Sequence, residues 1–119
     1  MPEANVKMTV RKVAPDTNII DIEGEMTGFA ENVLMDAYSQ ASANGTRVIL
    51  LNFSELDYMN SSGIGLLVTV LIRAQRHGQN LMAYGLTEHY RQIFELTRLN
   101  DAIGIYADEK AALDAVSAS

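Results

Sequence analysis

Residues 48–72 have the sequence VILLNFSELDYMNSSGIGLLVTVLI, and this stretch decides the fold. It begins with Val48–Leu51, a continuous apolar run that is bounded by Ser54 and predicts a short strand buried on both faces. Asn60-Ser61-Ser62 is a cluster of residues that favour the N-cap of a helix. Five apolar residues then recur at helical spacing and predict an amphipathic helix: Ile64, Leu67, Val68, Leu71 and Ile72. The stretch therefore predicts a strand–turn–helix unit of an α/β protein.

Two strands are predicted before this unit. Residues 6–11 alternate apolar with polar side chains, which predicts a strand with one wet face. Residues 20–23 alternate in the same way and predict a second strand that ends near Gly24. The turn cluster Pro15–Asn18 lies between them, so we expect the two strands to pair as a hairpin, with the first as the antiparallel edge of the sheet.

The rest of the chain alternates helices with short apolar strands. Helix and strand patterns follow one another at these places: a helix from Phe29 to Asn44-Gly45, the helix after Ser62 that ends at His77-Gly78, a strand over 81–85, a helix capped by Thr87, a strand over 103–106 and a helix opened by Asp108. The predicted order is β-β-α-β-α-β-α-β-α. Strands that alternate with helices imply mostly parallel pairing with right-handed crossovers.

Composition narrows the possible functions. A chain of 119 residues that is 48% hydrophobic is long enough for one domain with its own core. The formal net charge of −6 repels phosphate backbones and anionic membrane surfaces, so neither nucleic acid nor membrane is the expected partner. The first five residues lack the features of a signal peptide, and the longest apolar stretch falls short of the ~20 residues that span a bilayer. We expect a soluble, cytoplasmic protein.

No set of residues in the sequence is suited to catalysis. There is no cysteine, and the two histidines, His77 and His89, each lie among polar residues. The sequence contains no phosphate-binding glycine loop, no Gly-x-Ser-x-Gly elbow and no histidine pair at metal-ligand spacing. We therefore expect neither an enzyme nor a bound metal or cofactor.

Asp57–Gly65 is the segment with functional potential. Gly63 and Gly65 fall in the first turns of the predicted helix, where glycine costs about 0.5–1 kcal/mol relative to alanine. The helix start presents free N–H groups and a partial positive charge, which suit a phosphate on Ser61 or Ser62. Such a phosphate would add about −1.5 to −2 charges and would disrupt a bound partner. The same residues also fit a structural role, in which the polar residues cap the helix and the glycines ease its packing against a strand.

At these residues the sequence resembles the STAS family, the fold class of bacterial anti-sigma factor antagonists. Asn60–Gly65 resembles the family motif Asp-Ser-Ser/Thr-Gly-Leu/Met/Ile-Gly, Leu50–Ser54 its apolar strand and polar turn, and Gly24–Met26 the Gly-Glu-Leu/Ile that ends its second strand. The order of elements matches over about residues 6–116, so residues 1–119 are predicted to form a single STAS domain. The resemblance implies a four- to five-stranded mixed sheet with about four helices, mainly on one side.

The resemblance also implies a switching mechanism that regulates transcription. In the antagonist members, the unphosphorylated domain binds an anti-sigma factor that is itself a serine kinase of the GHKL ATPase type, and the sigma factor is released. The kinase phosphorylates the first serine of the motif, which is Ser61 here, with Ser62 as a second candidate, and the complex dissociates. A PP2C-type phosphatase resets the switch. ATP and magnesium belong to the kinase, so the chain itself needs no cofactor.

The resemblance implies a partner-binding surface around the motif, formed by Met26, Thr27, Tyr58, Met59, Asn60, Gly63 and Gly65. Asn60 and Thr27 stand where the family usually has Asp, and both changes remove a carboxylate from this surface, where charge complementarity sets partner choice. They favour the alternative that the chain is a constitutive STAS interaction or scaffold module in a signalling assembly, without efficient phosphorylation. In either case we expect a monomer or weak dimer that forms a complex with another protein.

Overall fold

The computed structural model describes residues 5–118, and these form five strands and four α-helices in the predicted order. The strands are β1 (Val6–Ala14), β2 (Thr17–Met26), β3 (Val48–Met59), β4 (Asn80–Tyr84) and β5 (Gly104–Tyr106). The helices are α1 (Glu31–Ala41), α2 (Ser61–Arg76), α3 (Glu88–Leu96) and α4 (Glu109–Ser117). Short 3-10 turns cover Gly28–Ala30 and Leu99–Asp101. None of the helices within residues 5–118 has the length and apolar character needed to cross a membrane.

The five strands form one mixed sheet in the order β1-β2-β3-β4-β5. β1 pairs with β2 antiparallel, and the other neighbours are parallel. The predicted hairpin, the antiparallel edge strand and the mixed sheet are therefore confirmed. The connection in the hairpin is shorter than predicted, because Thr17 and Asn18 already pair as part of β2.

The two faces of the sheet carry different helices. Alternate residues of a strand point to opposite faces, so Ile20 and Leu51 pack under α1, α2 and α3, while Ile19 and Leu50 pack under α4. Burying each such aliphatic side chain contributes about 1.5–3 kcal/mol. The larger core lies on the face with three helices, and this arrangement confirms the prediction that the helices lie mainly on one side.

β3 is much longer than the predicted strand that Ser54 bounds. It continues to Met59, because β2 is also long and pairs with it as far as Met26 opposite Met59. β4 pairs with β3 only as far as Asn52, so the second half of β3 has β2 as its one strand partner within the described residues. Side chains such as Ser54 and Tyr58 are exposed there, and this is why the segment looks like a polar turn in the sequence.

The buried face of α2 is rotated from the predicted one. The fully buried residues are Gly63, Leu67, Val70, Leu71 and Ala74. Ile72, which was expected to face the core, is 44% exposed. The rotation follows from the start of the helix, where Gly63 lies against the end of β2 and fixes which side of α2 faces inward.

α1 ends earlier than predicted. Its last residue is Ala41, and the chain then turns through Asn44 and Gly45, which both have positive φ (60° and 77°). The Asn-Gly pair therefore forms the turn that leads into β3 rather than the end of the helix.

Candidate functional site at the start of helix α2

α2 begins where β2 and β3 end together. The Asn60 N–H donates to the Met26 carbonyl (3.2 Å), and the Asn60 carbonyl accepts from the Ile64 N–H (3.0 Å). The Asn60 side-chain oxygen accepts from the Gly63 N–H (2.9 Å), so Asn60 is the N-cap, as its position before the apolar run predicted. The cap fixes the first turn of α2 directly on the end of β2.

Gly63 is required for this close contact. A Cβ added to Gly63 would lie 2.0 Å from the Met26 oxygen and 2.9 Å from the Met26 Cγ, so no side chain fits. Gly63 is buried on the inner side of the first turn of α2, so the expectation that it forms part of the exposed partner surface is corrected, and packing, one of the two roles that the sequence left open, explains the glycine.

Packing within the domain does not require a glycine at position 65. A Cβ added there would meet nothing outside the helix within 4 Å, and the residue is exposed in the second turn of the helix. Alanine in its place would favour the helix by up to about 1 kcal/mol. The missing side chain leaves the backbone of α2 open to close approach from outside.

Ser61 and Ser62 are both exposed at the first two positions of α2. The Ser61 hydroxyl has no hydrogen-bond partner within residues 5–118. Ser62 lies beside the 3-10 turn, since a Cβ added to Gly28 would be 3.4 Å from the Ser62 Cβ. The Ser62 hydroxyl likewise has no hydrogen-bond partner within these residues, and both hydroxyls stand where the helix presents N–H groups without intrahelical acceptors.

Two exposed aromatic side chains belong to the segments that flank these serines. Tyr58 is 49% exposed, as its sequence position suggested, and Phe29 is 61% exposed. Phe29 lies in the 3-10 turn that Gly28 brings against Ser62, and its N–H donates to the Thr27 hydroxyl (3.2 Å). The sequence pattern placed Phe29 only at a helix start, and no local signal in the sequence indicated that its ring is exposed.

Met26 and Met59 do not form an exposed surface, and the expectation that they do is corrected. Their side chains are 0% and 4% exposed. They lie opposite each other at the ends of β2 and β3, beneath α2, and the Met59 N–H donates to the hydroxyl of the buried Tyr90 (2.9 Å). Both residues are therefore part of the core on which α2 packs. Thr27, the next residue after Met26, is the N-cap of the 3-10 turn.

Three carboxylates adjoin the segments of the site along the chain. Glu31 and Asp57 are exposed and Glu25 is half-buried, and the salt bridges found in residues 5–118 all lie elsewhere. No cluster of three or more potential metal ligands occurs in the described part of the chain. The surface thus combines open hydroxyls with two exposed aromatic rings, which suits binding of another protein.

Comparison with known proteins places this fold in a family. The family model of the STAS domain matches residues 8–112. A relative named "Anti-sigma-B factor antagonist" from Staphylococcus aureus is 27% identical over 86 residues, which cover 72% of this chain and 80% of the relative. The crystal structure of an anti-sigma factor antagonist from Mycobacterium paratuberculosis superposes with a TM-score of 0.81 at 17% identity, covering 98% of this chain and 99% of the other.

A third similar protein is the Bacillus cell fate determinant SpoIIAA, whose structure in the phosphorylated form has a TM-score of 0.72 at 23% identity and covers 92% of this chain and 99% of its own. The unphosphorylated form of SpoIIAA gives a TM-score of 0.73 at 22% identity, with 93% and 98% of the two chains covered. These structures share the five-stranded mixed sheet and its helices, and the family match spans nearly all of the described residues. The chain belongs to the STAS domain family.

Proposed function

We propose that this chain is an anti-sigma factor antagonist that binds an anti-sigma factor through the start of α2 and loses that binding when Ser61 is phosphorylated. The observation that carries the proposal is the exposed Ser61 hydroxyl, which has no partner within the described residues and stands at the first position of a helix. The similarity to the anti-sigma factor antagonists of Staphylococcus aureus and Mycobacterium paratuberculosis supports the antagonist role. The phosphorylated form of SpoIIAA supports the switch.

The switch works because the fold tolerates a charge that the complex does not. A phosphate on Ser61 adds about −1.5 to −2 charges next to the positive end of the α2 dipole, so the domain stays folded. A bound partner would have to bury that charge among the apolar contacts of Phe29 and Tyr58, which costs several kcal/mol unless a cation pairs with it. Phosphorylation therefore shifts the equilibrium to the free domain.

In this proposal the partner proteins, rather than this chain, catalyse the transfer and the removal of the phosphate. An anti-sigma factor that is a serine kinase of the GHKL type brings ATP and magnesium to Ser61, and a PP2C-type phosphatase removes the phosphate. The chain itself acts as a cytoplasmic binding protein and substrate rather than as an enzyme.

Phosphate transfer is measured by intact mass and peptide mapping, after incubation with a kinase that is encoded next to the chain or copurifies with it, and Mg-ATP. We expect one added phosphate on the peptide that contains Ser61. Ser61→Ala should abolish it, and Ser62→Ala, the matched control at the next position, should retain it. Phosphate on Ser62 alone, or none in the presence of an active kinase, would contradict the switch.

A constitutive interaction module is the second candidate. It is favoured by the side chains of Asn60 and Thr27, which are occupied in capping and bring no carboxylate to the site. Asn60→Asp separates the two functions, because the cap is retained while a carboxylate is restored. Faster phosphorylation of this variant supports a weakened switch. A stable complex on a sizing column, with no phosphate in either form, supports the module.

A further inference from the structure

α4 covers an apolar row on the face of the sheet opposite the proposed site. Ile19, Leu50 and Met82 are register neighbours on β2, β3 and β4, and all three are buried beneath this helix. α4 itself has one fully buried residue, Ala112, among Glu109–Ser117. Leu113, Ala115 and Val116 of α4 are partly buried against the same cluster, so the helix excludes water from the row with one fully buried residue and three partly buried ones.

A polar row lies next to the apolar one. Asp21, Asn52 and Tyr84 are also register neighbours, two residues further along the same strands and thus on the same face. The Asn52 side-chain amide donates to Asp21 Oδ1 (2.8 Å). Arg11 of β1 extends the row, since its guanidinium donates to both oxygens of Asp21. Four strands thus contribute to one hydrogen-bonded network.

Glu109 joins α4 to this network. Its Oε1 accepts from Arg11 Nη2 (2.9 Å) and from the Tyr84 hydroxyl (2.8 Å). The other charged contact of α4 within the described residues stays inside the helix, between Lys110 and Asp114 (2.9 Å). The hydrogen bond from Arg11, followed by that from Tyr84, lowers the pKa of Glu109, so the carboxylate is ionised at neutral pH.

We propose that α4 is a detachable cover that opens as a unit while the rest of the domain stays folded, and that Glu109 is the latch that holds it closed. Local opening costs less than global unfolding where few apolar contacts must be broken. α4 comes closer to that condition than α2, because it has one buried residue where α2 has five, its other packed residues Leu113, Ala115 and Val116 are only partly buried, and the strand before it, β5, has only three residues. Opening exposes the apolar row of Ile19, Leu50 and Met82 without disturbing α2 on the other face.

Native-state hydrogen exchange tests the latch residue by residue. In Glu109→Gln the amides of residues 112–117 should exchange about tenfold faster, because each tenfold change corresponds to about 1.4 kcal/mol, the size of one charge-assisted hydrogen bond. Tyr84→Phe, which removes one of the two donors and keeps every charge, should give a smaller acceleration of about threefold. The amides of β2 and β3 should be unchanged in both variants.

Asp114→Asn is the matched control, because it removes a carboxylate of the same helix that pairs only with exposed Lys110. It should leave exchange in α4 within about twofold of the parent protein. Equal acceleration in Asp114→Asn and Glu109→Gln would overturn the latch, as would unchanged exchange in both Glu109→Gln and Tyr84→Phe. If the amides of β2 and β3 exchanged faster by the same factor as those of α4, the proposal that α4 opens independently would be overturned. None of these results depends on the partner or on Ser61.

Discussion

At the scale of the residue, two glycines in neighbouring turns of α2 have different physical explanations. Gly63 faces inward, where the Met26 carbonyl leaves no room for a Cβ. Gly65 faces outward, where nothing within 4 Å would meet one. The first glycine is needed for the fold. The second leaves the exposed backbone of α2 accessible to a bound protein. Spacing in the sequence does not distinguish them, because only the rotation of α2 decides which one meets β2.

Alanine substitutions separate these two roles. Gly63→Ala should lower the free energy of unfolding by about 3 kcal/mol or more, because α2 must move away from β2. Gly65→Ala should raise it by about 0.5 kcal/mol and weaken partner binding about tenfold, because a methyl group then stands in the contact. Urea denaturation and titration calorimetry measure the two quantities. Unchanged binding by Gly65→Ala would remove this residue from the proposed surface.

Substitutions at Ser61 test the switch without a kinase. Ser61→Ala should leave the fold intact and hold the chain in the binding state. Ser61→Asp should weaken binding at least tenfold, because it adds a charge to the interface while the α2 dipole keeps the domain stable. Binding is measured by calorimetry and folding by thermal denaturation. A partner that binds Ser61→Asp as tightly as the parent protein would contradict the switch.

At the scale of the element, the length of β3 and the 3-10 turn before α1 shape the site. β3 runs on beside β2 to Met59, so Tyr58 is carried to the start of α2. The 3-10 turn, whose Gly28 lies beside Ser62, brings Phe29 to the same end of the sheet. Neither position follows from the amphipathic pattern of a single element, since each depends on a neighbouring segment.

Aromatic truncations at the site should affect binding rather than folding. Phe29→Ala and Tyr58→Ala should each weaken the complex by about 1–3 kcal/mol, as exposed aromatic residues do when they anchor an interface. Both should change the free energy of unfolding by about 0.5 kcal/mol or less, since each ring is half or more exposed. Leu96→Ala, at another exposed apolar residue, is the control. Equal effects on binding from all three variants would mean that the surface is not specific.

At the scale of the whole molecule, the sheet separates two regions with different chemistry. One face and its end carry α2, with the serines and aromatic rings. The other carries α4 and the network from Arg11 to Glu109, whose carboxylates are partly exposed. Within residues 5–118 the two regions pack in separate clusters on opposite faces of the sheet, so we expect variants in one to leave the other unaffected.

This network should make stability depend on pH in the acid range. The hydrogen bond from Arg11 is the main cause that lowers the pKa of Asp21 and also of Glu109. Both groups therefore contribute stability above their unfolded pKa values, about 4, and lose it as pH falls through the lower folded values. Urea midpoints between pH 7 and pH 3 should fall less steeply in Arg11→Gln than in the parent protein. An identical slope would mean that the ion pairs contribute nothing measurable.

The sequence by itself determined the order of the elements, the hairpin, the cap at Asn60 and the family motif with Ser61 at the start of a helix. These features rest on local physics: alternation along a strand, helical periodicity, and side chains that bond to their own backbone. The tertiary structure alone decided that Met26 and Met59 are buried, that β3 continues to Met59, and that Arg11 reaches Glu109, 98 residues away. Those outcomes depend on contacts between segments distant in the chain, and no local pattern encodes which distant atoms will fill the space beside a residue.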